Sequence, residues 1–224
     1  MACTSGLPSQ SQLFMKDYGN TCRESESKPE SDLHESESFP SLLKLWEQIR
    51  EDWLSHGCDW TKPGFRAVAI HRFGVWRTGI QPQLLRAPFS LLYRMLYRKV
   101  RNTYGIELPY TVKLGRRVVI EHQGCIVIHG NCAIGDDSII RQGVTLGLRY
   151  LDRLTEAPSL GKRVNVGAGA KLFGNIVIGD DVNVGANAVV LSDVPDGATV
   201  VGIPAKVVRA ANQTTPFRDV SEES

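Results

Sequence analysis

The chain has 224 residues and a net charge of +2, long enough for one compact unit with appendages. Its composition excludes a fibrous or largely disordered protein, and no window approaches the roughly 18 apolar residues of a membrane span. The near-neutral total hides a marked division of charge along the chain, which bears more directly on partners.

Residues 1–38 hold three Lys/Arg against seven Asp/Glu in a Ser/Glu/Pro-rich run, Glu24-Ser25-Glu26-Ser27-Lys28-Pro29-Glu30 for example. Such a stretch buries too little apolar area to offset its chain entropy and is expected to be a disordered acidic tail. It lacks the basic and apolar regions of a signal peptide, so a cytoplasmic location is expected. The five cysteines, Cys3, Cys22, Cys58, Cys125 and Cys132, are odd in number and form no C-x-x-C pair. That argues against a disulfide framework or a zinc site, and no metal is expected. Cys125 and Cys132 fall where the repeat described below wants small apolar residues, which points to packing.

A helical region is expected over 39–104. Ser41 can cap a helix beginning Leu42-Leu43-Lys44-Leu45-Trp46, whose apolar residues recur at helical spacing. After a break at Gly57-Cys58, Pro63 suits the first turn of a second helix reaching about Trp76, and a longer one is expected after Pro88. From Thr61 to Tyr104 there are nine Lys/Arg and no Asp/Glu, interleaved with apolar residues. A basic amphipathic helix of this kind can touch an anionic membrane surface weakly. The reading favoured here packs its apolar stripe on its own domain while the arginines snorkel outward. No nucleic-acid-binding module is recognisable.

A repeat with period six follows. Aliphatic residues recur at Leu160, Val166, Leu172, Ile178, Val184 and Val190, and small or aliphatic ones four positions after each, at Val164, Ala170, Ile176, Val182, Ala188 and Val194. Upstream the same rhythm runs through Leu108, Leu114 and Ile120, slips by two residues at Ile126-Val127, and resumes at Ile128, Ile134, Ile140 and Leu146. Period six fits no α-helix, whereas three hexads make one triangular coil of short strands. The predicted fold is therefore a left-handed parallel β-helix of hexapeptide repeats over 105–208, preceded by the small α-helical region and followed by a flexible tail, 209–224. Residues 148–159 break the period and must leave the prism as a loop, a candidate functional segment by length. Flat prism faces are naturally finished by a closed homotrimer with binding crevices between the prisms.

A wall of aliphatics and glycines has no reactive groups, so chemistry should appear as a polar intrusion at a corner. Ile120-Glu121-His122-Gln123-Gly124 is such an intrusion, with an imidazole suited to taking a proton from a hydroxyl near neutral pH and a carboxylate beside it. A solvated turn histidine would give the same local pattern.

Four strings in order decide the matter further: Ile120-Glu121-His122-Gln123-Gly124, Gln142-Gly143-Val144-Thr145-Leu146-Gly147, Val166-Gly167-Ala168-Gly169-Ala170-Lys171-Leu172-Phe173-Gly174-Asn175, and Gly202-Ile203-Pro204-Ala205-Lys206. Over Gly105–Val208, and more faintly back to about Pro63, the chain resembles the serine O-acetyltransferases of the hexapeptide acyltransferase superfamily. The resemblance implies transfer of acetyl from acetyl-CoA to the hydroxyl of L-serine, a step of cysteine biosynthesis. It implies His122 as general base and Glu107 as the acid supporting it. Glu121 would receive the acceptor's amino group; both carboxylates are aspartates in the family. Ala168 and Ala186, with Gly147, Gly167 and Gly185, would form the cofactor wall, and Lys206 would lie near the nucleotide end. Asp52 or Asp59 would stand for an acceptor-binding aspartate of the helical domain, Asp52 being the residue assigned here.

Three departures bear on this. Where the family's loop has Arg-His-Pro holding the serine carboxylate, this chain has Glu156-Ala157-Pro158, with His129, Arg149 and Arg153 as possible substitutes. The helical region is shorter than the family's dimerising domain, which leaves a trimer rather than a hexamer as the expectation. The end Val220-Ser221-Glu222-Glu223-Ser224 lacks the isoleucine with which family members grip the sulfhydrylase, so no cysteine synthase complex is expected. Acetylation of a sugar or exopolysaccharide precursor is the alternative activity, and a non-catalytic scaffold the third reading.

Overall fold

The computed structural model describes residues 41–150 and 152–210. The acidic segment 1–38 and residues 211–224 of the expected tail lie outside the described residues. Helix α1 spans Leu42–Ser55, with the Ser41 hydroxyl capping it by accepting from the Lys44 amide at 3.5 Å. Helix α2 spans Pro63–Trp76, with proline at its first turn as expected. A 3₁₀ turn, Arg77–Gly79, leads to α3, Gln83–Tyr104, which ends on left-handed Gly105. Helix α3 begins five residues before Pro88, so the proline lies inside it. Its cost there is one hydrogen bond to the first turn, and Phe89, packed edge-on against Trp76 with ring centroids 5.6 Å apart, helps to hold the segment.

The rest is the left-handed β-helix. Its three faces are a sheet of β1 (Ile106–Glu107), β4 (Ile126–Ile128), β7 (Thr145–Gly147), β10 (Lys171–Phe173) and β13 (Val189–Val190), a sheet of β2 (Lys113–Leu114), β5 (Ala133–Ile134), β8 (Ser159–Leu160) and β11 (Val177–Ile178), and a sheet of β3 (Val119–Ile120), β6 (Ile139–Ile140), β9 (Asn165–Val166), β12 (Asn183–Val184), β14 (Thr199–Val201) and β15 (Lys206–Arg209). Every pairing is parallel except that of β14 with β15, a short antiparallel strand at the last coil. The aliphatic residues of the repeat point inward, and Val164, Val166, Leu172, Ile178 and Val182 are fully buried. Burial of this kind contributes about 1.5–3 kcal/mol per large side chain.

Register measures each coil. Glu107 pairs with Val127 and Val127 with Thr145, so the first coil has 20 residues and the second 18. The slip at Ile126-Val127 is thus a two-residue lengthening of the corner that carries His122. Thr145 pairs with Lys171, a coil of 26, because the chain leaves the prism after β7 and rejoins it where β8 begins at Ser159. Cys132 is buried, its Sγ 3.6 Å from the Leu146 carbonyl. Cys125 departs from expectation: it is exposed in the lengthened corner, with φ of +54°.

The helices close the open end of the prism. A first coil has no coil beneath it, so its edge amides and carbonyls need other partners. His71 donates from Nε2 to the Val112 carbonyl at 3.0 Å, and Arg72 donates to the Leu114 carbonyl at 2.8 Å and to the Gly115 carbonyl. The Ile120 amide donates to His56 Nε2 at 3.3 Å. Gly64 makes the approach possible: a Cβ there would lie 1.9 Å from the Ile120 carbonyl oxygen.

The arginines do not all snorkel as expected. Arg72 and Arg77 turn inward, and the Arg77 guanidinium sits 4.6 and 4.4 Å from the Tyr93 and Tyr110 ring centroids. Nor does α3 bury its whole apolar stripe, because only Tyr93 and Val100 are buried while Leu84, Leu91 and Met95 face outward. Among the described residues no helix is long and apolar enough to cross a membrane.

Burial pushes His71 from 6.5 down to about 4, and lowers His56 in the same direction. An unfolded histidine takes up its proton near 6.5, so between those values the unfolded chain holds more protons than the folded one. The contribution of His71 is therefore complete above pH 6.5 and lost as pH falls through about 4. The melting temperature should decline across that window, and the His71→Leu variant should show a flatter decline; an unchanged slope would contradict the assignment.

Candidate active site

His122 occupies the corner between the third and first sheets. The register Ile120↔Ile140↔Val166↔Val184↔Val200 brings the residues two positions later into one row along the prism axis: His122, Gln142, Ala168, Ala186 and Gly202. With coils about 4.8 Å apart, Ala186 lies about 14 Å from the His122 level and Gly202, beside Lys206, about 19 Å. His122 has φ of +65°, as do several corner residues such as Arg117 and Asp137 at φ +55° and +59°, so that conformation belongs to the fold.

The predicted residues divide between places. Ala168 and Ala186 stand in the His122 row, and Gly167 and Gly185 in the row beside it. A Cβ on Gly167 would lie 2.6 Å from the Ala186 amide nitrogen, and one on Gly185 2.7 Å from a Val201 methyl, so close coil stacking alone demands glycine at both. Lys206 is exposed on β15 at the far end of this edge, its Cα paired with Val201. Gly147 is on a different corner, between the first and second sheets, against the Phe173 ring.

Glu107 is on the outer face of β1, half-buried, one coil before Val127. No hydrogen bond joins it to His122 among the described residues. Burial first, and then the Glu107 carboxylate, push the Tyr97 phenol up. Glu121 has a partner that sequence reasoning missed: Arg141, its neighbour one coil on, donates from Nε to Glu121 Oε2 at 2.9 Å and from its terminal nitrogen to Asn165 Oδ1. Nothing in a single hexad signals this pair, because it depends on which residues the coil repeat superimposes.

A cavity of about 710 Å³ opens at this corner, lined by Val119–Gln123 of the prism and by Ser55, His56, Gly57, Lys62, Pro63 and Gly64 of the helices. His56, also missed, is buried beneath it. Its Nδ1 donates to the Asp52 carbonyl at 2.6 Å and its Nε2 accepts from Ile120, which makes it a neutral tie between α1 and β3. The one signal in sequence was its place at the end of the first apolar run.

Asp52 does not line the cavity. Its carboxylate is 1 % exposed and is held by Arg72, Nε to Oδ2 at 2.8 Å and a terminal nitrogen to Oδ1 at 3.3 Å. The carboxylate expected to bind the acceptor orients, in this structure, the arginine that closes the first coil. Asp59, its rival, accepts from the Thr61 amide and hydroxyl at 2.8 and 2.6 Å, away from the lining.

In the loop, Ala157 is buried and Glu156 pairs with Arg153 at 3.4 Å. Arg149 and Arg153 flank the Tyr150 ring, 5.5 and 5.3 Å from its centroid. Among the described residues no group of three or more His, Cys, Asp or Glu is disposed to hold a metal ion.

No family model matches the chain. Individual relatives do. A serine acetyltransferase of Helicobacter pylori strain J99 is 42% identical over 146 residues, which are 65% of this chain and 81% of the relative. The chain belongs to the serine acetyltransferase family. The Staphylococcus xylosus serine acetyltransferase is also 42% identical, over 135 residues, and the chain spans 62% of its length. Among solved serine acetyltransferase structures, the soybean enzyme complexed with serine superposes with a TM-score of 0.63 at 28% identity, over 73% of this chain and 69% of that one. A Brucella abortus serine acetyltransferase in complex with coenzyme A superposes at 0.64 with 24% identity, over 75% and 68%.

If Asp52 is structural, its loss leaves a buried guanidinium uncompensated, for which about 3–5 kcal/mol is expected. The Asp52→Ala variant should lose about that much in urea unfolding, while the folded fraction keeps its affinity for acceptor. A normal unfolding midpoint with weakened acceptor binding would restore the original assignment.

Proposed function

We propose that the protein is an acetyl-CoA-dependent O-acetyltransferase that acetylates L-serine. The observation that carries this reading is the placing of His122 at the head of the corner row that runs through Gln142 to Ala168 and Ala186, and on the wall of a cavity that also holds Glu121. The pantetheine arm would run along Ala168 and Ala186, with Lys206 near the nucleotide end. His122 takes the proton of the acceptor hydroxyl as its oxygen forms a bond to the acetyl carbonyl carbon. Collapse of the tetrahedral species breaks the carbon–sulfur bond, and the imidazolium returns the proton to the leaving thiolate. Glu107 flanks the same corner and would stabilise the imidazolium once substrates close the site.

The functional unit would be a trimer. Gly147 and the loop lie on one prism edge and the Ala168–Ala186 row on another, so one acetyl-CoA would touch both where neighbouring prisms pack side by side.

A sugar hydroxyl is the second reading, favoured by the loop: positions 156 and 157 present a paired carboxylate and a buried methyl where the family has two cations. Acetyl-CoA consumption followed with a thiol reagent, with L-serine against nucleotide sugars, separates the two. Serine turnover saturating between about 1 μM and 1 mM supports the first, and turnover with a nucleotide sugar alone overturns it. The His122→Ala variant should lose about 100- to 10,000-fold in kcat, the usual share of a general base, while still binding acetyl-CoA in calorimetry; near-normal turnover would sink the mechanism. Ala186→Leu should raise the KM for acetyl-CoA and leave that for the acceptor unchanged, and the reverse pattern would remove the row from the donor site.

A further inference from the structure

The cavity beside His122 has a wall contributed by the α1–α2 junction. Among the described residues that line it, Lys62 is the only lysine or arginine. His56 on the same wall is kept uncharged, burial lowering its affinity for a proton. Lys62 lies back over Gly57, whose φ is +74°; a Cβ at Gly57 would be 3.4 Å from the lysine Nζ. The prism contributes the opposite charge, Glu121, with Arg141 on its Oε2 and about 40% of the side chain exposed. His122, next to Glu121 in the chain, lines the same cavity.

A cation on the helical wall, a carboxylate on the prism wall and an imidazole next to that carboxylate complement a small zwitterion bearing a hydroxyl. The ammonium group would meet Glu121, the hydroxyl His122 and the carboxylate Lys62. In the loop, by contrast, Arg153 is paired with Glu156 and set against Tyr150.

We propose that Lys62 binds the acceptor's carboxylate, taking over from the α1–α2 junction the role that the resemblance would have given to positions 156 and 157 of the loop. This rests on the serine reading above and adds to it the residue that selects for an acid. The positive end of the α2 dipole, at Pro63 and Gly64 on the same wall, favours the same ligand charge.

The test is steady-state kinetics of the full chain with L-serine and with L-serinamide, in which a neutral amide replaces the carboxylate. Losing a hydrogen bond between charged partners should raise the serine KM of Lys62→Gln about 10- to 100-fold. Its kcat for serine and its kcat/KM for serinamide should move less than about twofold, since only uniform binding of the carboxylate is removed. Lys62→Arg should recover most of the serine affinity. Equal losses with serine and serinamide, no change with either, or a serine-specific rise in KM in Arg153→Gln instead would overturn the proposal. Wild-type protein that turns over nucleotide sugars but neither serine nor serinamide would instead overturn the serine reading on which it stands.

Discussion

The unpaired polar edge of the first coil is the constraint around which this molecule is arranged. A stack of coils satisfies every interior backbone group by repetition, but its first coil must find partners elsewhere. Here they are side chains of α1 and α2: His71 and Arg72 donate to carbonyls of Val112, Leu114 and Gly115, and His56 accepts from Ile120. Buried Arg72 and His56 find partners in turn, the Asp52 carboxylate behind Arg72 and the Asp52 carbonyl behind His56. Placing helices on that edge also sets a wall beside the adjacent corner, and that corner holds His122. Closing the fold and forming the cavity are thus one structural act.

Glycine chemistry works on two scales in this arrangement. At Gly64 the missing Cβ lets α2 touch the Ile120 carbonyl, and at Gly167 it lets one coil lie on the next. The smooth edge left along Ala168 and Ala186 is a by-product of coil stacking that also suits a long, narrow ligand. Two residues added between Ile120 and Ile126 break that smoothness once and push a polar corner, Glu121 to Cys125, out of the wall. The candidate site lies where the repeat is longest outside the loop.

The electrostatics of this corner differ from what the Glu121-His122 pair alone implies. Superposition of coils sets Arg141 against Glu121, so the carboxylate enters the cavity already half-compensated. A partly exposed pair of this kind contributes little to stability, but it fixes the carboxylate's position. Among the described residues that line the cavity Lys62 is the one lysine or arginine, contributed by a helix junction some sixty residues earlier in the chain.

The β-helix and the emergent loop were legible in the chain, because a period of six with inward aliphatics is a local property that each hexad restates. Helices α1 and α2 were legible for the same reason, through Ser41, Pro63 and apolar spacing. His122 stands out in the sequence as an intrusion in that period, and the resemblance implies its role. The neighbours of these residues were not legible. The resemblance assigns Asp52 to acceptor binding, and only packing against Arg72 shows it as a buried tie; it assigns Glu121 to the acceptor's amino group, and only coil register gives it Arg141. What the sequence by itself determined is the set of local conformations, since those depend on residues within a few positions of one another. What only the tertiary structure decided is which charges are spent and which remain available, because a charge is committed by contacts between segments twenty to seventy residues apart.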